Sequence, residues 1–148
     1  MSDSHVKSIQ AGFRPPFIAS HTDKKLLIGG RWVPPVSGQS FESIDPSTGD
    51  VLAHIGDGDT ADVDAAVAAA RRAFEGPWRK TKPFERQRLL LRLADLVDQH
   101  YDEFALLDTL EMGMPISRSS AGRQRVVGMI RFYAGLATAI HGQTIENS

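Results

Sequence analysis

Apolar residues follow two rhythms along this chain, and the change comes near residue 60. Before it the rhythm is short. "LLIGGRWV" at 26–33 sets two brief apolar runs around Gly29-Gly30, the pattern of a β-hairpin whose turn needs residues that tolerate positive φ. "FESI" at 41–44 alternates and reads as a strand. "DPSTGD" at 45–50 then turns, with Pro46 presetting φ and Gly49 permitting φ > 0, and "VLAHI" at 51–55 returns as the partner strand.

From Thr60 onward the period is helical. Val63, Ala66, Val67, Ala70 and Phe74 share one face of a first helix. Asp59 or Thr60 caps it, Asp62 and Asp64 suit the dipole of its first turn, and Gly76-Pro77 closes it. A second helix starts near Pro83 and carries Leu89, Leu93, Leu96, Val97, Phe104 and Leu107 as its stripe. It runs to about Met112, where Gly113 and Pro115 stop it, and the pattern is compatible with a break near His100–Asp102. A third covers roughly 118–141 with Val126, Val127, Ile130, Tyr133, Ala134, Ala137 and Ile140 in phase. Gly122, Gly128 and Gly135 lie inside it, and each costs about 1 kcal/mol relative to Ala, which points to close packing there. His141 then falls at the helix C-terminus, where its charge favours the dipole, and Gly142 follows as the cap. Gln143 to Glu146 start to alternate like a strand. Residues 1–24 show no period, contain Pro15-Pro16 and read as an N-terminal arm. The fold class is α+β: three main helices plus short β-hairpins.

Composition narrows the function. A net charge of -1 gives no electrostatic grip on nucleic acid or on an anionic membrane. No apolar run approaches the length of a bilayer span, and the N-terminal stretch lacks the apolar core of a secretory signal, so a cytoplasmic location is expected. There is no cysteine among the 148 residues, which excludes disulfides, thiolate metal sites and a cysteine nucleophile supplied by this chain.

Local motifs yield little chemistry. "HIGDGDTADVDAAV" at 54–67 has the order strand, Gly-containing loop, helix, which can cradle a phosphate. The third glycine is missing, and Asp57, Asp59 and Asp62 would repel the anion. The same acids make no calcium loop, because the twelfth position from Asp57 is Ala68. The five histidines are scattered, with no metal-binding pair on a helix. Phe132 and Tyr133 read as core aromatics rather than a ligand platform.

The ordered set of motifs resembles the N-terminal portion of NAD(P)-dependent aldehyde dehydrogenases. It consists of "LIGGRWV", "DPSTGDVLAHIGDGDTADVDAAVAAARRAF", Trp78, "ERQRLLLRLADLVDQHYDEFALLDTLEMGMP" and "IRFYAGLATAIHGQTI". Each is weak alone; their order and spacing from about Leu26 to Ile145 are specific. The resemblance implies oxidation of an aldehyde to a carboxylic acid by a cysteine thiolate, through a thiohemiacetal that passes hydride to NAD or NADP. It also implies that the nucleophile, the glutamate that activates water, the oxyanion donors and the Rossmann strands lie downstream of the matched segment. Three segments follow from it: a mobile arm at 1–24, the N-terminal part of an α/β Rossmann-type cofactor-binding domain at 25–142, and the start of an oligomerisation strand, cut short, at 143–148. A monovalent cation site is implied at the carbonyls of Ser43 and Ile44 and the carboxylate of Glu111, where the family often has Asp. The family's "GKP" is Gly113-Met114-Pro115 here, which removes one surface charge. The expectation is therefore the first third of an enzyme, inactive alone and binding no cofactor alone. Its expected associations are homo-oligomers or the missing remainder of the enzyme. The competing expectation is a small helical module that docks on a full-length relative.

Overall fold

The computed structural model describes residues 23–142. The expected arm up to residue 22 and the expected strand at 143–148 lie outside the described residues. The chain forms two compact units, the first ending at Ala69 and the second starting at Ala70.

In the first unit, β2 (Leu26–Ile28) and β3 (Arg31–Val33) pair antiparallel, with Leu27 opposite Trp32. Gly29 and Gly30 both take positive φ, 60° and 77°, as a tight right-twisting hairpin turn demands. A separate three-stranded sheet has β1 (Asp23–Lys24) and β4 (Ser40–Ile44) on either side of β5 (Val51–Gly56). β4 (Ser40–Ile44) and β5 (Val51–Gly56) are the expected hairpin. β1 (Asp23–Lys24) runs parallel to the other edge of β5, so these two residues belong to the sheet and not to the arm in which the sequence placed them. Central β5 supplies the buried side chains Leu52 and Ala53.

The turn between β4 and β5 is held by Asp45. Its N–H donates to the Asp50 carbonyl (2.9 Å), and its carbonyl accepts the Gly49 N–H (2.8 Å). Its carboxylate accepts the Ser47 hydroxyl (2.6 Å) and the Ser47 N–H (2.8 Å), and these bonds hold its pKa below the ordinary value.

α1 (Thr60–Glu75) starts as expected, with the Asp59 carboxylate accepting the N–H groups of Ala61 and Asp62. Asp62 does more than favour the dipole. It is buried, and its carboxylate accepts the N–H of Val36 and the N–H of Asp59, which fastens the loop after β3 to the helix start.

The second unit takes in the end of α1 from Ala70, then a 3₁₀ turn, Pro77–Lys80, and α2 (Pro83–Gln99), α3 (Tyr101–Met112), α4 (Ile116–Ala121) and α5 (Arg123–Leu136). α2 begins at Pro83, and the Lys82 N–H is satisfied by the Glu85 carboxylate (3.2 Å). The second expected helix breaks at His100, which ends α2 and starts α3. Gly113 ends α3 in the left-handed conformation, φ 68°, and donates to the Thr109 carbonyl.

The third expected helix departs from the structure in two ways. It is cut at Gly122 into α4 and α5, and it stops at Leu136, so His141 caps no helix. Of its three glycines, only Gly122 is crowded: a methyl group there would stand 2.6 Å from the Tyr101 hydroxyl. Gly128 and Gly135 face open space, so close packing is not the reason for them among the described residues.

α2 and α5 pack on each other, with Ala94 and Ala134 fully buried. Small side chains let the two backbones approach. Arg123 Nε donates to the Asp98 carboxylate (2.8 Å) and its terminal nitrogen to the Asp98 carbonyl (2.6 Å); Arg131 reaches Asp95 at 3.1 Å. Buried Tyr101 links α3 to α4 by donating its hydroxyl to the Ser119 carbonyl (3.2 Å).

Candidate functional site

The apolar stripes formed as helices, but they are not covered. Val63, Val67 and Phe74 of α1 are exposed, Phe74 at 65%. So are Leu89, Leu93 and Leu96 of α2 and Phe104 of α3. Phe132 and Tyr133 meet edge to face at 5.4 Å and are more than half exposed, which corrects their reading as core aromatics. The buried positions are small or few: Ala94, Tyr101, Ala105, Val127 and Ala134 in the second unit. No large side chain among the described residues is completely buried. Within the second unit, apolar exposure on this scale marks surface that another element can cover.

One part of that surface is concave. A cleft of about 660 Å³ lies between the 3₁₀ turn, the start of α2 and the stretch after α5. Trp78, Arg86, Leu89, Leu93, Thr138 and Ile140 are among the residues that line it, and no carboxylate of the described residues does. Arg86 is fixed by Trp78 twice: its guanidinium lies 5.4 Å from the ring centroid, and it donates to the Trp78 carbonyl at 3.2 Å. Its Nε is shielded from solvent and has no acceptor among the described residues. The pairing was missed in the sequence, although a helix opened by Pro83 turns its first-turn side chains back toward the preceding loop. Asp98–Arg123 was missed too, and 25 positions of separation leave no local signal for it.

Of the residues expected to hold a cation, Ser43 and Ile44 end β4 at a β-bulge, where the pairing shifts from Ser43–Ala53 to Ile44–Val51 and leaves Leu52 as the extra residue. Glu111 lies in the last turn of α3, exposed, two residues before left-handed Gly113. Within one unit, therefore, the structure brings together only Ser43 and Ile44. Two carbonyls and one carboxylate are hard oxygen donors that suit a small-charge cation better than a transition metal. No group of three or more His, Cys, Asp or Glu residues placed to hold a metal ion occurs among the described residues.

The start of α1, which follows a strand and a Gly-containing loop as a phosphate cradle does, has its amides already bonded. The amides at its first turn are taken by the Asp59 carboxylate, and Asp62 adds a second negative charge beside it. The described residues do not fit a phosphate group there. No helix of the described residues is long and apolar enough to cross a membrane.

The family model for the aldehyde dehydrogenase family matches residues 32–148. Aldehyde dehydrogenase family 2 member B4, mitochondrial, of Arabidopsis thaliana is 47% identical over 133 residues, which cover 88% of this chain and 24% of that protein. Benzaldehyde dehydrogenase, mitochondrial, of Antirrhinum majus is 43% identical over 140 residues, covering 93% of this chain and 26% of that protein. The NAD+ complex of an aldehyde dehydrogenase from Bacillus cereus superposes with a TM-score of 0.85 at 39% identity, over 91% of this chain and 28% of that one. The mixed helix-and-strand arrangement is thus a fragment of a known fold, and the chain belongs to the aldehyde dehydrogenase family. It spans about a quarter of the length of the curated relatives it matches. Both plant relatives are named as mitochondrial, a compartment the cytoplasmic expectation did not foresee.

Proposed function

We propose that this chain acts as the N-terminal part of an NAD(P)-dependent aldehyde dehydrogenase and does not oxidise aldehydes without the rest of that fold. The observation that carries the reading is the absence of cysteine from the 148 residues, set against a family chemistry that needs a thiolate nucleophile. The nicotinamide cofactor, when bound, accepts the hydride. Hydride transfer also needs a dinucleotide cradle, and the first turn of α1 spends its amides on carboxylates instead. The contribution of this chain is architectural: two small sheets and a helical pair that present apolar faces to the elements carrying the chemistry.

The test is an assay of purified chain with NAD+, NADP+ and a panel of aliphatic and aromatic aldehydes, followed by absorbance of the reduced cofactor. No turnover above a blank without protein is expected. Turnover that stays with the chain through further purification would overturn the reading.

A further inference from the structure

The loop between β5 and α1 contains Asp57-Gly58, the one place in the chain where an aspartate precedes a glycine. That order matters because the backbone nitrogen after an aspartate can attack its side-chain carboxyl. Most residues hinder that attack with a Cβ, which glycine lacks. Asp57 and Gly58 are both exposed. The bonds of Asp57 are on its main chain: its N–H donates to the Gln39 carbonyl (2.9 Å), and its carbonyl accepts the Ser37 hydroxyl (3.3 Å). Its carboxylate and the Gly58 N–H have no hydrogen-bond partner among the described residues. The neighbouring acids are placed differently. Asp45 precedes Pro46, which has no N–H to give up. The Asp59 carboxylate is committed to the N–H groups of Ala61 and Asp62, and that of Asp62 to Val36 and Asp59.

We propose that Asp57 is a site of spontaneous covalent modification, isomerising to isoaspartate through a succinimide formed with Gly58, and that the change unfastens the start of α1. The Gly58 nitrogen bonds to the side-chain carboxyl carbon of Asp57 and gives up its proton. The carboxyl hydroxyl leaves with that proton as one water. Water then adds back at either of the two ring carbonyls. Breaking the nitrogen bond to the side-chain carbon restores aspartate; breaking the bond to the backbone carbon leaves Gly58 attached through the Asp57 side chain. No oxidant or other reactant is consumed, and the product has the mass of the starting chain. Its main chain is longer by one methylene. That methylene falls between residue 57, tied to Gln39, and Asp59, whose N–H donates to Asp62 (3.1 Å) and whose carboxylate caps Ala61 (2.8 Å). Val36 hangs on the same Asp62 carboxylate at 3.2 Å, so a displaced helix start frees the loop after β3 as well.

The experiment ages purified wild-type chain and Gly58→Ala in neutral buffer made with oxygen-18 water, both folded and unfolded in guanidinium chloride. Digestion and mass spectrometry with electron-based fragmentation then read residue 57. Alanine suits the position, since its Cβ would meet Leu26 Cδ1 at 3.4 Å and Asp62 Cβ at 3.7 Å, which are ordinary contacts. The expected result is isoaspartate at residue 57 of the folded wild type, formed within about threefold of the unfolded rate because the exposed loop needs little local opening to react. Most of it should be lost in Gly58→Ala. Each succinimide that opens leaves one heavy oxygen at residue 57, a readout that needs no variant. In the modified fraction, the Val36 and Asp59 amides should lose protection from hydrogen exchange. Isoaspartate in the unfolded chain but none in the folded chain would overturn the proposal, and so would equal formation in Gly58→Ala. Modification that leaves Val36 as protected as before would overturn the unfastening of α1.

Discussion

Asp62 is an acidic residue buried in a molecule that leaves Leu27, Leu89 and Leu93 exposed. Its carboxylate serves the N–H groups of Val36 and Asp59, so a single side chain closes the loop after β3 and finishes the start of α1. Replacing it with Ala leaves two backbone donors without that acceptor. Asp62→Ala is expected to cost the first unit roughly 1–3 kcal/mol, read as faster hydrogen exchange at Val36 and Asp59. Unchanged protection of Val36 would show that the bond carries no weight. The sequence showed Asp62 only as an acid in a first turn, because its partner at Val36 lies 26 positions away. Asp59 was legible as one of two candidate caps, with Thr60, since its partners are its own near neighbours.

Asp98 carries the pH dependence at this scale. The Arg123 hydrogen bond, and then the charges of Arg123 and Arg131, hold its carboxyl below the ordinary 3.8. A carboxyl depressed by folding stabilises the folded form above its unfolded value, and that contribution fades as pH falls through the lower folded value. The Arg123 Nε–H resonance should therefore stay fixed above about 3.8 and collapse only below it. In Asp98→Asn that acid step should vanish. A step of the same size in the variant would assign it to another group.

Elements were most legible where a local signal sets them. Both hairpins stand where Gly29-Gly30 and "DPSTGD" placed them, and α3 ends at Gly113. The third helix was read too long, because its apolar period continues through Ala137 and Ile140 after the helix has ended. At its cut, Gly122 lies close against the Tyr101 hydroxyl, an approach that a period cannot reveal. Two alanine substitutions separate the roles of the glycines. Gly113→Ala forces a side chain into the left-handed region at φ 68° and should cost about 1 kcal/mol. Gly128→Ala meets nothing within 4 Å and should raise helix stability by about the same amount. Helicity measured against urea for the two variants should move in opposite directions. A fall in both would mean that position 128 is crowded by something beyond the described residues.

At the scale of the molecule, the apolar stripes were legible and their fate was only partly so. Period placed Val67, Leu93 and Phe104 on apolar faces, yet the pattern is the same whether the covering element belongs to the chain or to another. Covering one such side chain contributes roughly 1.5–3 kcal/mol, while a whole domain is stable by only about 5–15 kcal/mol. Several uncovered stripes therefore outweigh the margin on which a cooperative fold depends. The helices are held by local bonds and the Ala94–Ala134 face, and they should persist while packing stays loose. Calorimetry of the purified chain is the most direct test. The account predicts a broad transition with little excess heat, together with binding of an apolar dye and association that grows with concentration. A sharp, cooperative transition from a monomer that binds no dye would show that these residues close their own core, and it would contradict the account.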